Sequence, residues 1–213
     1  MATTDFFTKC SNANFAQILP KMNYVFFTKG TYNLNIIGVR SNHNNKVTNM
    51  FDDALVVVYK TPNGKWQKQI YRITTEPGTY YMATSLMNEK GTSILVPDQY
   101  RGCFKIGKHL GKYDALVQVK KVSVYRDNNK DMVYDLKPET CDSGIFGINI
   151  HRSSEFTPQV FVNKYSAGCQ VFADPKQYDS FMRLCKLQTK YVKGGSTFTY
   201  TLLEEKDLTI MLK

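Results

Sequence analysis

The chain has no Cys-x-x-Cys pair, and its five cysteines, Cys10, Cys103, Cys141, Cys169 and Cys185, are odd in number and widely spaced. That pattern excludes a zinc-ribbon site and a closed disulfide framework, and it fits reduced thiols in a cytoplasmic product. Histidine is scarcer, with His43, His109 and His151 as the only imidazoles. No apolar run approaches the roughly 18 residues a membrane helix requires. The opening residues M-A-T-T-D-F-F-T-K-C lack the basic region, hydrophobic stretch and small-residue cleavage site of an export signal. Synthesis in a cytoplasm without a leader is therefore expected. Internal repeats and low-complexity tracts are also missing.

Acidic residues are in deficit, 18 against 28 Lys and Arg, and the formal charge of +10 predicts attraction to a polyanion. Nucleic acid is not the expected partner, because the basic residues are scattered and no recognition-helix, zinc-finger or RNA-binding signature appears. The 213 residues, 42% hydrophobic and 13% aromatic, suffice for one well-filled core.

Residues 1–22 carry spaced apolar residues, Phe6, Phe7, Phe15, Ile18 and Leu19, before Pro20, compatible with a short helix or an ordered tail. Residues 23–213 read as a single domain. From Tyr24 to Tyr125 the signals are β: Tyr32 to Ile37, Ala54 to Tyr59, Trp66 to Thr74, Tyr80-Tyr-Met, Ser93 to Val96, Phe104-Lys-Ile and Ala115 to Tyr125. Asn63-Gly64 marks a hairpin, while Pro77-Gly78 and Lys108 to Gly111 read as loops. Asp174-Pro175 opens a helix carrying Tyr178, Phe181, Met182 and Cys185 at helical spacing. Gly194-Gly195 ends it, Thr197 to Leu203 reads as a strand, and Leu208 to Leu212 as a last one. Many short strands at this spacing predict a mainly β sandwich or barrel-like sheet with one helix near the end.

The residues with most chemical content run from Gly147 to Phe172, G-I-N-I-H-R followed by a polar insert and Y-S-A-G-C-Q-V-F. His151 ends an apolar strand and Cys169 follows a small-residue turn, the two partners a thiolate nucleophile needs, with the imidazole taking the proton and holding the ion pair. Ser166, Ala167 and Gly168 are small enough for successive N–H groups to face a substrate carbonyl as an oxyanion hole. Tyr165, Gln170 and His109 are candidate substrate contacts. Cys103 and Cys185 read as buried structural thiols, and His43 as a loop residue without a special role. Asp127, Asn129, Asp131 and Asp135 alternate like calcium ligands, but Met132 stands where such a loop needs Gly, and a polar turn is the better reading. Catalysis without metal or cofactor is expected.

The H-R…S-A-G-C pattern, with 18 positions from His151 to Cys169, resembles the L,D-transpeptidase catalytic domain, whose signature is a strand-ending histidine followed by S-x-G-C. V-P-D-Q-Y-R-G-C-F-K-I-G at Val96 to Gly107 is similar to that family's T-P-x-G-x-F/Y segment. Asn33 to Gln67 looks like its N-terminal hairpin. Two positions depart from the family: Val171 replaces an arginine two residues past the cysteine, and Arg152 replaces the Gly or Ser after the histidine.

The resemblance implies an L,D-transpeptidase-like β-sandwich with one helix after the nucleophile strand, and a cysteine enzyme acting on the peptide stems of peptidoglycan through a thioester. Hydrolysis by a phage lysin or virion-associated endopeptidase is expected, with transpeptidation as the related reaction. In this reading Arg152 substitutes for the missing arginine by pairing with a substrate carboxylate, and its carbonyl orients His151. The location implied is the host cytoplasm before release to the cell wall, or the phage virion beside other virion proteins; no membrane partner is implied. The rival is a catalytically inactive virion structural or cell-wall-binding protein on the same scaffold.

Overall fold

The structure, a computed structural model, describes residues 4–84 and 86–212; the first three residues of the N-terminal segment lie outside them. That segment forms two short helices, α1 (Thr4–Asn12) and α2 (Phe15–Lys21). Their buried Phe6, Cys10, Phe15, Ile18 and Leu19 pack on Ile37, Val39, Ala54, Val56 and Val58. These are alternate residues of β1 (Asn35–Arg40) and β2 (Asp53–Lys60), whose other faces, Ile36, Leu55, Val57 and Tyr59, enter the main core. Burial on both faces is why Ala54 to Tyr59 is continuously apolar instead of alternating.

Asn63-Gly64 turns the chain into β3 (Trp66–Thr74), with Gly64 at φ +78°, and the hairpin pairs Lys60 with Trp66 through to Asp53 with Ile73. There follow β4 (Thr92–Leu95), β5 (Gln99–His109), β6 (Tyr113–Gln118), β7 (Val122–Asp127), β8 (Asp142–Gly144), β9 (Ile150–Arg152) and β10 (Gln170–Phe172). Helix α3 (Pro175–Tyr191) begins where Asp174 accepts the Lys176 N–H at 2.8 Å, with Pro175 in the first turn. It sets Tyr178, Phe181, Met182, Leu184 and Cys185 into the main core, and β11 (Thr197–Glu204) completes the strands.

The mainly β character is as expected, but the large sheet is a closed barrel, β1-β11-β5-β6-β9-β10-β3-β2, and β4-β7-β8 form a separate three-stranded sheet. Parallel pairing of β1 with β11 and of β9 with β10 is what joins its edges. Pairing between strands far apart in sequence leaves no local mark, so the choice between sandwich and barrel lay beyond periodicity.

Three expected strands are different. Tyr80-Tyr-Met lies in a helical turn, Tyr80–Thr84, because Tyr81 and Met82 both donate N–H to Gly78 and Asn49 caps the Thr79 N–H at 3.1 Å. Ala115 to Tyr125 is two strands, broken where Val119 N–H bonds Cys103 and Gln118 reaches the Lys120 carbonyl as the chain crosses between sheets. Leu208 to Leu212 belongs to a 3₁₀ segment, Glu205–Leu212, at whose start Asp207 accepts the Glu204 N–H at 2.8 Å. His109, expected in a loop, ends β5.

His43, read as a bystander, belongs to a buried polar cluster. Asp53 accepts N–H bonds from Ser41 at 2.8 Å and Thr75 at 2.6 Å, and Arg40 donates to the Thr75 and Leu95 carbonyls while lying 3.3 Å from Glu76. Asp52, 1% exposed, faces His43 Nε2 at 3.1 Å. Burial, then the neighbouring Asp53, push the Asp52 carboxyl up to about 6. Between its unfolded and folded values the native state holds a proton that the unfolded chain has released, so stability falls as pH rises from about 4 to about 6. Asp52→Asn is therefore expected to gain about 2 kcal/mol in denaturant melts at pH 8 and nothing at pH 3.5; an equal gain at both would contradict this cause.

Candidate active site

Ser166, Ala167 and Gly168 fold as a tight turn before β10. Ser166 is fully buried, and its Oγ donates to the Cys169 carbonyl at 2.8 Å and accepts the Gly168 N–H at 3.1 Å. Its own carbonyl takes the Gly78 N–H at 3.0 Å. Gly168 stands at φ +119°, where a Cβ would collide with the Ser93 carbonyl, so no other residue fits. Past the turn, parallel pairing sets Gln170 against Ile150 and Val171 against His151, bringing Cys169 alongside Asn149.

The Cys169 thiol accepts the Asn149 N–H at 3.4 Å and donates to the Gly147 carbonyl at 3.4 Å. His151 is buried, with Nδ1 2.9 Å from the Arg152 carbonyl; the Tyr113 hydroxyl donates to the same carbonyl at 3.1 Å. His109 stacks on the His151 ring at 3.9 Å between centroids and 16° between planes. Asn149 joins the parts, its Oδ1 accepting the Gln118 N–H at 3.0 Å and its Nδ2 standing 3.1 Å from His109 Nδ1. The Gln118 side chain in turn accepts the Phe146 and Ile148 N–H groups and donates to Gly144, pinning the segment that carries Gly147 and Asn149.

Cys169, His151, His109, Asn149, Ala167 and Tyr165 line one cavity of about 580 Å³. Lys164 and Arg126 also reach it, and Met87, Leu110 and Ile145 expose apolar surface around it. Arg126 is fixed by Asp142, Gly91 and Ser93 and lies over the Phe146 ring at 4.4 Å.

The remaining predicted residues are placed elsewhere. The Arg152 guanidinium covers the Tyr113 ring at 4.4 Å and pairs with Glu155 at 3.3 Å, outside the lining, so its side chain holds Tyr113 in place while its carbonyl fixes His151. Gln170 is fully buried, accepting from Tyr200 at 2.7 Å, and cannot touch a ligand in the cavity. Ser166 is a turn former, and the Gly168 N–H, bound to its Oγ, is withdrawn from the expected oxyanion hole. Cys103 and Cys185 are buried, as read. Sequence reasoning missed Asn149, Gln118, Tyr113 and Arg126. For Asn149 there was a signal: it immediately precedes a short strand, two residues before His151, and a two-residue spacing in extended chain puts both on one face.

An ion pair of Cys169 and His151 was expected, and the electrostatics differ. Burial pushes the Cys169 thiol up to about 11, only partly offset by the Asn149 N–H. Burial and then the stacked His109 push His151 down to about 3 against the pull of the Arg152 carbonyl. The resting pair is a neutral thiol beside a neutral imidazole. Among the described residues the thiol's hydrogen bonds go to Gly147 and Asn149, and none goes to His151. Such a site suits general-base transfer during attack.

In the calcium-like loop the Asn129 amide donates to Asp131 and Asp135, and Asp127 accepts the Asp135 N–H at 2.8 Å, a self-satisfied polar turn. No group of three His, Cys, Asp or Glu among the described residues is arranged to hold a metal ion. No family model matches the chain, nor does any curated protein or solved structure.

With a thiol near 11, alkylation of Cys169 by iodoacetamide, followed by peptide mapping, is expected to accelerate about tenfold per pH unit from 7 to 10. A plateau beginning below pH 7 would contradict the neutral resting pair.

Proposed function

We propose that this protein is a cysteine-dependent acyl-transfer enzyme on an L,D-transpeptidase-like scaffold, hydrolysing the peptide stems of peptidoglycan. The observation that carries the reading is the convergence of Cys169, on an obligatory glycine turn, with His151, its Nδ1 fixed by a carbonyl, in one cavity. In this mechanism His151 Nε2 takes the Sγ proton as sulfur attacks a stem carbonyl. The tetrahedral intermediate collapses when the same nitrogen returns the proton to the departing amine, and water then resolves the thioester. An amine in place of water makes the reaction transpeptidation. The Lys164 ammonium beside the cavity supplies a counter-charge for a stem carboxylate, and the chain's +10 charge favours an anionic wall. A phage product, free or virion-borne, remains the setting this reading favours.

One observation favours a second reading, a wall-binding or virion structural protein without activity: the resting thiol is hydrogen-bonded away from His151. Purified protein and Cys169→Ala, incubated with sacculi and stem peptides and read by mass spectrometry, separate the two. Cleaved or exchanged stems from the parent alone are expected. Identical inert traces across several wall types, with sacculi still pulled down by both proteins, would overturn the enzyme in favour of the binding protein.

A further inference from the structure

The stacked histidines differ in what their neighbours allow. A backbone N–H has only a donor to offer, so Gln118 N–H fixes the Asn149 amide with Oδ1 toward it and Nδ2 toward His109. His109 Nδ1 therefore accepts, and the neutral ring carries its proton on Nε2. At His151, Nδ1 faces the Arg152 carbonyl at 2.9 Å and the Tyr113 hydroxyl at 3.3 Å. The carbonyl has only lone pairs and the hydroxyl gives its proton to that same carbonyl, so both turn lone pairs toward the ring, the proton sits on Nδ1 and Nε2 keeps its lone pair. Neither Nε2 is hydrogen-bonded to a described residue, and both rings line the cavity that Cys169 lines. Parallel rings 3.9 Å apart thus present one acceptor and one donor to the same space.

We infer that His109 is a catalytic residue of the acyl transfer, donating Nε2–H to the oxyanion of the tetrahedral intermediate while His151 acts as the base. The assignment rests on the acyl-transfer reading. It answers a deficit in the site, since Ser166 Oγ already binds the Gly168 N–H that the turn was expected to supply. In the step, the S–H proton passes to His151 Nε2, the S–C bond forms, and the carbonyl π pair moves onto oxygen. His109 hydrogen-bonds that oxygen without surrendering its proton. On collapse the C=O re-forms, the C–N bond breaks and His151 protonates the amine. Asn149 is the positioning residue that selects the His109 tautomer.

Two measurements test this. In ¹⁵N-labelled protein, long-range imidazole correlations are expected to show Nδ1–H at His151 and Nε2–H at His109; the reverse at either ring overturns the assignment. The second compares two reactions of Cys169: acylation by p-nitrophenyl acetate, which builds an oxyanion, and alkylation by iodoacetamide, which does not. His109→Phe keeps an aromatic ring against His151 but has no N–H, and is expected to slow acylation about 100-fold while alkylation stays within about twofold, the usual cost of one lost oxyanion donor. His109→Gln, which retains an N–H, is expected to restore at least tenfold of that loss. Equal slowing of both reactions, or no rescue by Gln, would make His109 a structural prop and overturn the proposal. Parent protein that acylates with the ester but leaves wall peptides intact would discard the substrate and leave His109's role standing. Parent protein that alkylates at Cys169 and never acylates would overturn both.

Discussion

Three residues of β9 paired in parallel with three of β10 hold this molecule together at its chemical centre. The pairing supplies one of the junctions that close the barrel, and it fixes the stagger that places Cys169 beside Asn149 and His151 beside Val171. A shift of one residue would exchange every inward side chain for an outward one, sending His151 out of the cavity and Phe172 out of the core. The neighbours enforce the register. Gly168 admits no side chain against Ser93, Ser166 locks the turn, and α3 packs Tyr178 and Phe181 against Phe172 at ring separations of 5.3 and 5.1 Å.

The same burial that makes the site rigid sets its protonation. Desolvation acts on thiol and imidazole in opposite senses, raising one and lowering the other, and both shifts favour neutral forms. The stacked His109 adds to this by disfavouring charge on His151. A pair so arranged does not store a thiolate; at rest it is a neutral thiol and a neutral imidazole. The Asp52 cluster beside β1 and β2 follows the same physics, with burial raising a carboxyl rather than a thiol, up to about 6.

Elements made by adjacent residues were legible in the sequence. The hairpin at Asn63-Gly64, strand β3 and the Asp174-Pro175 start of α3 each carry their cause within a few residues. So do the small-residue turn before Cys169 and the short strand that carries His151, because both are local. Closure of the barrel was not legible, since it depends on β1 meeting β11 from the far end of the chain. Nor were Gln118, Asn149 and Tyr113 as one network, because each is an ordinary polar residue until the fold brings it to His109 or His151. Tyr80–Thr84 shows the converse, a strand-like sequence bent into a helical turn by bonds to Gly78 and Asn49. Arg152 was given a ligand when its guanidinium is occupied by Tyr113 and Glu155, a competition visible only once Tyr113 was in place.

The central claim is that Cys169 carries an acyl group in turnover. Its most direct test is intact-protein mass spectrometry after rapid acid quench of the protein with a synthetic peptidoglycan stem peptide, with peptide mapping of the adduct. The account predicts a hydroxylamine-labile mass increase equal to the acyl part of the stem, located on Cys169 and absent from Cys169→Ala. Cleaved stems with the adduct on another residue, or an unmodified Cys169 throughout turnover, would contradict it.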